Sequence, residues 1–112
     1  MTVLATRRRP NATDGAPPPD AVDEIFGGDR DSLLAVLPRA DYVAVCCPLT
    51  PETRGLFDKE AFAVMKPSSV IMNVGRGPII NTADLVEALE SGEIGGAGCG
   101  KTHKFWAPAR FL

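Results

Sequence analysis

Arg76 is the residue whose type and setting point most directly to chemistry. It follows the apolar run 70–74 and stands between Gly75 and Gly77, two residues that let backbone and ligand come close. A guanidinium there offers a planar fork that matches a carboxylate. The competing reading is a surface arginine in a tight turn, since loop residues on a rigid scaffold carry function often but not always. A second unusual loop, Pro48-Leu49-Thr50-Pro51-Glu52-Thr53, follows another apolar run, 42–47. If both runs are strands of an open parallel sheet, ligands bind beyond their carboxyl ends, and the two loops converge on one rim.

The elements needed to hold those loops can be read from pattern and punctuation. Residues 1–6 form a short β-favouring run that ends at Arg7, and 10–20 are a loop by composition. Residues 22–26 suit a short edge strand or a turn. A helix is predicted over 31–37, with Leu33, Leu34 and Leu37 on one face and Pro38 as its stop. The run 42–47 reads as a buried strand. Thr50 is placed to cap a helix with Pro51 at its first position. Asp58 starts a further helix, with Phe57 and Phe62 as a staple across the cap, ending at Pro67. After the strand 70–74, Asn81 caps a helix through Leu85, Val86 and Leu89. Ile80 and Leu85 form its staple, and Gly92 is its terminal glycine. Residues 94–98 would be a last buried strand, lined with glycines where something approaches closely. Strands and helices alternating at this spacing give an α/β fold with right-handed crossovers and a parallel sheet.

Composition narrows the function classes. The 112 residues suit one domain, and a net charge of -2 gives no electrostatic footprint for nucleic acid. No apolar run approaches the roughly 18 residues needed to span a bilayer. Val3 and Leu4 precede Arg7, Arg8 and Arg9, the reverse of a signal peptide. A cytoplasmic location is the resulting expectation. Cys46, Cys47 and Cys99 make neither a CxxC pair nor a zinc framework. Cys46 and Cys47 are expected to pack as small hydrophobes. A rival motif is present: Gly95-Gly96-Ala97-Gly98-Cys99-Gly100-Lys101-Thr102 fits the phosphate-loop pattern. That loop should open a helix, and Pro108 arrives too soon for one.

Several segments in order carry a resemblance. Ala40-Asp41-Tyr42-Val43, the loop Pro48 to Leu56, Asn73-Val74-Gly75-Arg76-Gly77, residues 85–89 and Gly92-Glu93-Ile94-Gly95-Gly96-Ala97-Gly98 together resemble the NAD(P)-binding domain of D-isomer-specific 2-hydroxyacid dehydrogenases. This group includes phosphoglycerate, glycerate, formate and D-lactate dehydrogenases. The resemblance covers residues 1–98 and leaves 99–112 as a divergent tail. It implies a Rossmann-type doubly wound sheet and hydride transfer between NAD(P) and a 2-hydroxy or 2-oxo acid. It also implies that Cys47, Pro48 and Thr53 contact the cofactor. Val74, Gly75 and Arg76 would border the nicotinamide, and Arg76 would grip the substrate carboxylate. Arg7, with Arg8 beside it, falls where NAD-preferring relatives carry an acidic residue. Arginine there suits a 2′-phosphate, which favours NADP(H); a solvated arginine at a strand end is the alternative. Relatives of this kind commonly form homodimers.

The sequence also departs from that pattern. A first strand and a Gly-x-Gly-x-x-Gly loop are expected just upstream of Met1, and neither is present. Downstream, Gly100 stands at the position of a cofactor-binding aspartate. The family's glutamate has no counterpart, and His103 does not match the catalytic histidine. The expectation is a partial Rossmann-type sheet without its central strand, inactive alone, marginal in stability and with two unpaired edges. The alternative function is a non-catalytic remnant that acts, if at all, by binding a partner.

Overall fold

The computed structural model describes residues 1–7, 22–99 and 104–106. The chain divides into two compact units, Met1–Val36 and Leu37–Leu112.

In the first unit β1 (Leu4–Arg7) pairs in parallel with β2 (Glu24–Gly27), so the stretch expected as edge strand or turn at 22–26 is strand from Glu24 onward. Helix α1 (Arg30–Val36) follows and runs into a single 3-10 turn, Leu37–Arg39, at the predicted proline stop. Asp29 caps it, and the helix begins one residue earlier than the periodicity alone suggests. The Asp29 carboxylate accepts from Ser32 Oγ at 2.7 Å and from the Ser32 N–H at 3.0 Å. The Ser32 hydroxyl bond, then the backbone bond, holds this carboxyl below its ordinary value of 3.8. A depressed pKa contributes stability that is complete above the ordinary value and is lost as pH falls through the lowered one. Helicity of α1 should therefore decline only below about pH 4, and Asp29→Asn should remove that dependence; an unchanged acid titration of the helix signal in the variant would contradict the cap.

The second unit contains β3 (Tyr42–Val45), α2 (Lys59–Val64), β4 (Val70–Asn73), α3 (Thr82–Ser91), β5 (Gly96–Cys99) and β6 (Lys104–Trp106). Its sheet has the order β3-β4-β5-β6, with β3, β4 and β5 parallel and β6 antiparallel. Each unit thus carries its own sheet, the parallel pair β1-β2 in the first and β3-β4-β5-β6 in the second.

Caps were the most legible features. Asp58 Oδ1 accepts from the Ala61 N–H at 3.2 Å and starts α2, with Phe57 and Phe62 both buried on either side of the cap. Asn81 Oδ1 accepts from the Asp84 N–H at 3.1 Å, and Gly92 ends α3 in the left-handed region at φ 82°. Asn81→Ala should cost about 1 kcal/mol, read as a lower urea midpoint with an unchanged slope. A shift below about 0.3 kcal/mol would show that the cap is replaced by solvent.

The core joins one face of the sheet to the helices. Val45, Ile71, Asn73 and Ala97 are buried together with Phe62, Ile79, Leu89 and Ile94. The expectation of a buried strand at 42–47 needs correction. Tyr42 is 77% exposed and Met72 49%, because residues alternate across a strand and the described residues cover only one face of this sheet. The glycine-lined segment at 94–98 does meet a close approach, but the neighbour is backbone. A Cβ on Gly95 would lie 3.0 Å from Ser68 and Ser69 carbonyl oxygens, and the Gly95 N–H donates to Ser69 O at 2.7 Å.

Candidate active site

The loops after β3 and β4 run side by side. Gly55 N–H donates to Pro78 O at 2.8 Å, Phe57 N–H to Ile79 O at 3.1 Å and Asn81 N–H to Phe57 O at 2.9 Å. Phe57 and Ile80 form a parallel bridge. Nearer the strand ends, Val74 and Gly75 N–H groups both donate to Val45 O, at 3.0 and 3.1 Å. The carboxyl ends of β3 and β4 are therefore locked together by main chain, and a cleft of about 560 Å³ opens over them. Its lining is Cys46, Cys47, Pro48, Leu49, Val74, Gly75 and Arg76.

Five of the residues singled out from sequence meet in this cleft: Cys47, Pro48, Val74, Gly75 and Arg76. Gly75 is required by the approach of the two loops. A Cβ there would stand 2.9 Å from the Cys47 carbonyl oxygen and 3.4 Å from Asn73 Oδ1. Arg76 is exposed and precedes the 3-10 turn Gly77–Ile79; its side chain makes no capping bond there, so the guanidinium is not spent on that turn. Val74 is 53% exposed and supplies an apolar wall.

Thr53 is placed differently. It does not line the cleft; its Oγ1 donates to Pro48 O at 2.7 Å and accepts from the Thr50 N–H at 2.7 Å. The hydroxyl thus shapes the Pro48 loop from behind. The predicted helix at Thr50 and Pro51 is corrected to an isolated turn. Thr53 and Arg54 N–H groups close onto Thr50 O at 3.1 and 2.9 Å, and Gly55 at φ 65° then turns the chain away.

The expectation that both adjacent cysteines are packed away is also corrected: Cys46 is exposed and Cys47 half-buried. Burial pushes the Cys47 thiol above its ordinary value, with Cys46 adding to the rise against its own backbone hydrogen bond. Limiting iodoacetamide near pH 8 should alkylate Cys46 before Cys47, because Cys46 is the more exposed and the raised Cys47 holds less of the nucleophilic thiolate. The gap should narrow as pH rises toward the raised Cys47 value; equal rates in peptide mapping at pH 8 would contradict the placement of the two thiols.

Cys46 and Leu49 were not marked by sequence as cleft residues, and their apolar character gave no signal. Arg7 closes β1, its side chain outside the described residues, as are Arg8 and His103. The phosphate-loop reading loses its geometry. Gly96–Cys99 is a strand paired on both sides, and Lys104–Trp106 is a strand where that reading needs a helix. No helix among the described residues is long and apolar enough to cross a membrane.

The family model for the D-isomer specific 2-hydroxyacid dehydrogenase NAD binding domain matches residues 1–104. The chain belongs to this family. It is 36% identical over 98 residues to glyoxylate/hydroxypyruvate reductase B of Yersinia pestis bv. Antiqua (strain Nepal516), an alignment covering 88% of this chain and 28% of that protein. The Shigella boydii serotype 4 reductase of the same name is 43% identical over 76 residues, covering 68% of this chain and 24% of the relative. Among solved structures, the Xanthobacter autotrophicus Py2 D-isomer specific 2-hydroxyacid dehydrogenase in complex with NADPH and MES aligns with TM-score 0.73 at 35% identity. That alignment covers 88% of this chain and 38% of the other. Phosphoglycerate dehydrogenase from Lactobacillus plantarum aligns with TM-score 0.74 at 27% identity, covering 88% and 29%. The 2-hydroxyacid dehydrogenase domain seen here therefore spans under a third of the length of the curated relatives it matches.

Proposed function

We propose that this chain forms the nicotinamide side of the active site of an NAD(P)-dependent oxidoreductase acting on 2-hydroxy and 2-oxo acids. The single observation that carries the proposal is the cleft over the ends of β3 and β4, which puts Arg76 beside Pro48, Val74 and Gly75. The residues present fit a nicotinamide ring: apolar Val74 and Pro48 offer it a wall, and Gly75 brings backbone close where no Cβ fits. When bound, that ring supplies or accepts the hydride. Arg76 binds the carboxylate of the acid through its fork and so orients C2. Cys47 lines the cleft beside Pro48, and Thr53 holds the Pro48 loop in shape.

NADP(H) is favoured over NAD by Arg7 at the end of β1, with Arg8 next to it. A 35%-identical relative was solved with NADPH, and a 29%-identical one from Lactobacillus delbrueckii ssp. bulgaricus with NAD. The relatives named for glyoxylate and hydroxypyruvate support this substrate class. The setting is a cytoplasmic enzyme acting on small molecules, with homodimers as the expected assembly of longer relatives.

The 112-residue chain by itself is proposed to be inactive and marginally stable. Its sequence holds no Gly-x-Gly-x-x-Gly loop for the pyrophosphate, and β3 presents an unpaired edge among the described residues. The test is NADPH consumption with glyoxylate or hydroxypyruvate, followed at 340 nm alongside Arg76→Gln. No turnover above the variant is expected. Turnover that disappears in Arg76→Gln would overturn the inactivity while supporting the site.

A further inference from the structure

We infer that Asn73 is a positioning residue for Arg76, holding the turn from which the guanidinium enters the cleft. The inference rests on the proposed role of Arg76 toward a carboxylate. Asn73 ends β4 with its side chain on the covered face, and only 4% of the residue is exposed. Its carboxamide closes the next three residues from both ends. Oδ1 accepts from the Gly75 N–H at 2.9 Å, and Nδ2 donates to the Arg76 carbonyl at 3.0 Å. Chemistry fixes the orientation of the amide, because an N–H requires an acceptor and a carbonyl requires a donor.

The geometry explains why a strand pointing into the core ends in a polar residue. The main chain must leave β4, pass Gly75 within reach of the Cys47 carbonyl and turn Arg76 outward, all within three residues. The Gly75 N–H shares Val45 O and Asn73 Oδ1, so neighbouring strand and side chain both fix it. The Arg76 carbonyl is fixed by Asn73 Nδ2 and by the Ile79 N–H at 3.2 Å. Aspartate has the same shape and retains the acceptor, but its second oxygen would face the Arg76 carbonyl in a buried site. Serine is too short to reach both groups.

The test uses side-chain amide signals, of which the chain has only three sources, Asn11, Asn73 and Asn81, and no glutamine. In 1H–15N spectra of the whole chain, the pair missing from Asn73→Asp identifies Asn73. Its protons should exchange about tenfold more slowly than those of exposed Asn81. In Asn73→Asp and Asn73→Ala, the backbone signals of Gly75, Arg76 and Gly77 should move while those of Leu89 and Ile94 stay in place. A loss of overall stability alone would broaden or move all of them together. Oxamate, a carboxylate analogue of a 2-oxo acid, is then titrated into parent and variants. Affinity is expected to fall about tenfold in both variants, with Arg76 still present. Free exchange of the Asn73 amide in the parent overturns the inference, as does unchanged oxamate affinity in Asn73→Ala. A slowed amide with no oxamate response in the parent counts instead against the carboxylate role of Arg76 and leaves the clamp standing on the turn signals.

Discussion

Gly75→Ala is expected to destabilise the second unit by about 2 kcal/mol and to open the cleft, because the added methyl has nowhere to go. It would stand 2.9 Å from the carbonyl oxygen of Cys47, closer than real Cβ atoms come to a neighbour, and that oxygen belongs to main chain. The two other nearest atoms, Asn73 Oδ1 and Ile79 Cδ1 at 3.4 Å, leave no sideways escape. Relief requires β3 and β4 to part at their carboxyl ends. That strains the bonds from Val74 and Gly75 to Val45 O. Urea titration in trimethylamine N-oxide, which strengthens the native baseline, measures the loss. A shift below about 0.5 kcal/mol would show that the loops are not in contact there. Gly77→Ala is the control, since a Cβ at Gly77 meets nothing within 4 Å.

Arg76→Gln should weaken binding of oxamate by about a hundredfold, the loss of two charge-assisted hydrogen bonds to one carboxylate. Arg76→Lys should recover only part of that, because an ammonium restores charge without the fork. Stability should change little, as Arg76 is exposed and its side chain caps nothing. An Arg76→Gln chain that binds oxamate as the parent does would remove the carboxylate role. Equal binding by Arg76→Lys and parent would reduce it to simple charge attraction.

How much of this was legible in the sequence depends on the scale of the signal. Asn81, Leu85 and Gly92, like Asp58 with Phe57 and Phe62, announce helix ends by local hydrogen-bonding needs, and the fold obeys them. The pairing of glycines with Arg76 after an apolar run gave the cleft from one side, and Pro48 gave it from the other. What failed was long-range. Tyr42 and Cys46 look like core residues in one dimension, and only the uncovered face of the sheet exposes them. Thr50 and Pro51 carry helix-start chemistry, but the hydroxyl of Thr53 turns back onto Pro48 and ends the segment as a turn. Residues 104–106 pair antiparallel with β5 although nothing in Lys-Phe-Trp prescribes a partner. Asn73 was visible only as a member of a motif; its two bonds need the folded turn to exist.

The Gly55–Phe57 segment is stitched to the Pro78–Asn81 segment by peptide groups. Such bonds are blind to side-chain identity, apart from the demand that no donor be lost to proline. Leu49, which lines the cleft beside this frame, can therefore be exchanged without removing any of these bonds. A lineage can change what it selects by substituting there while inheriting the frame intact, and a mutant library confined to Leu49 should stay folded while its ligand preferences spread.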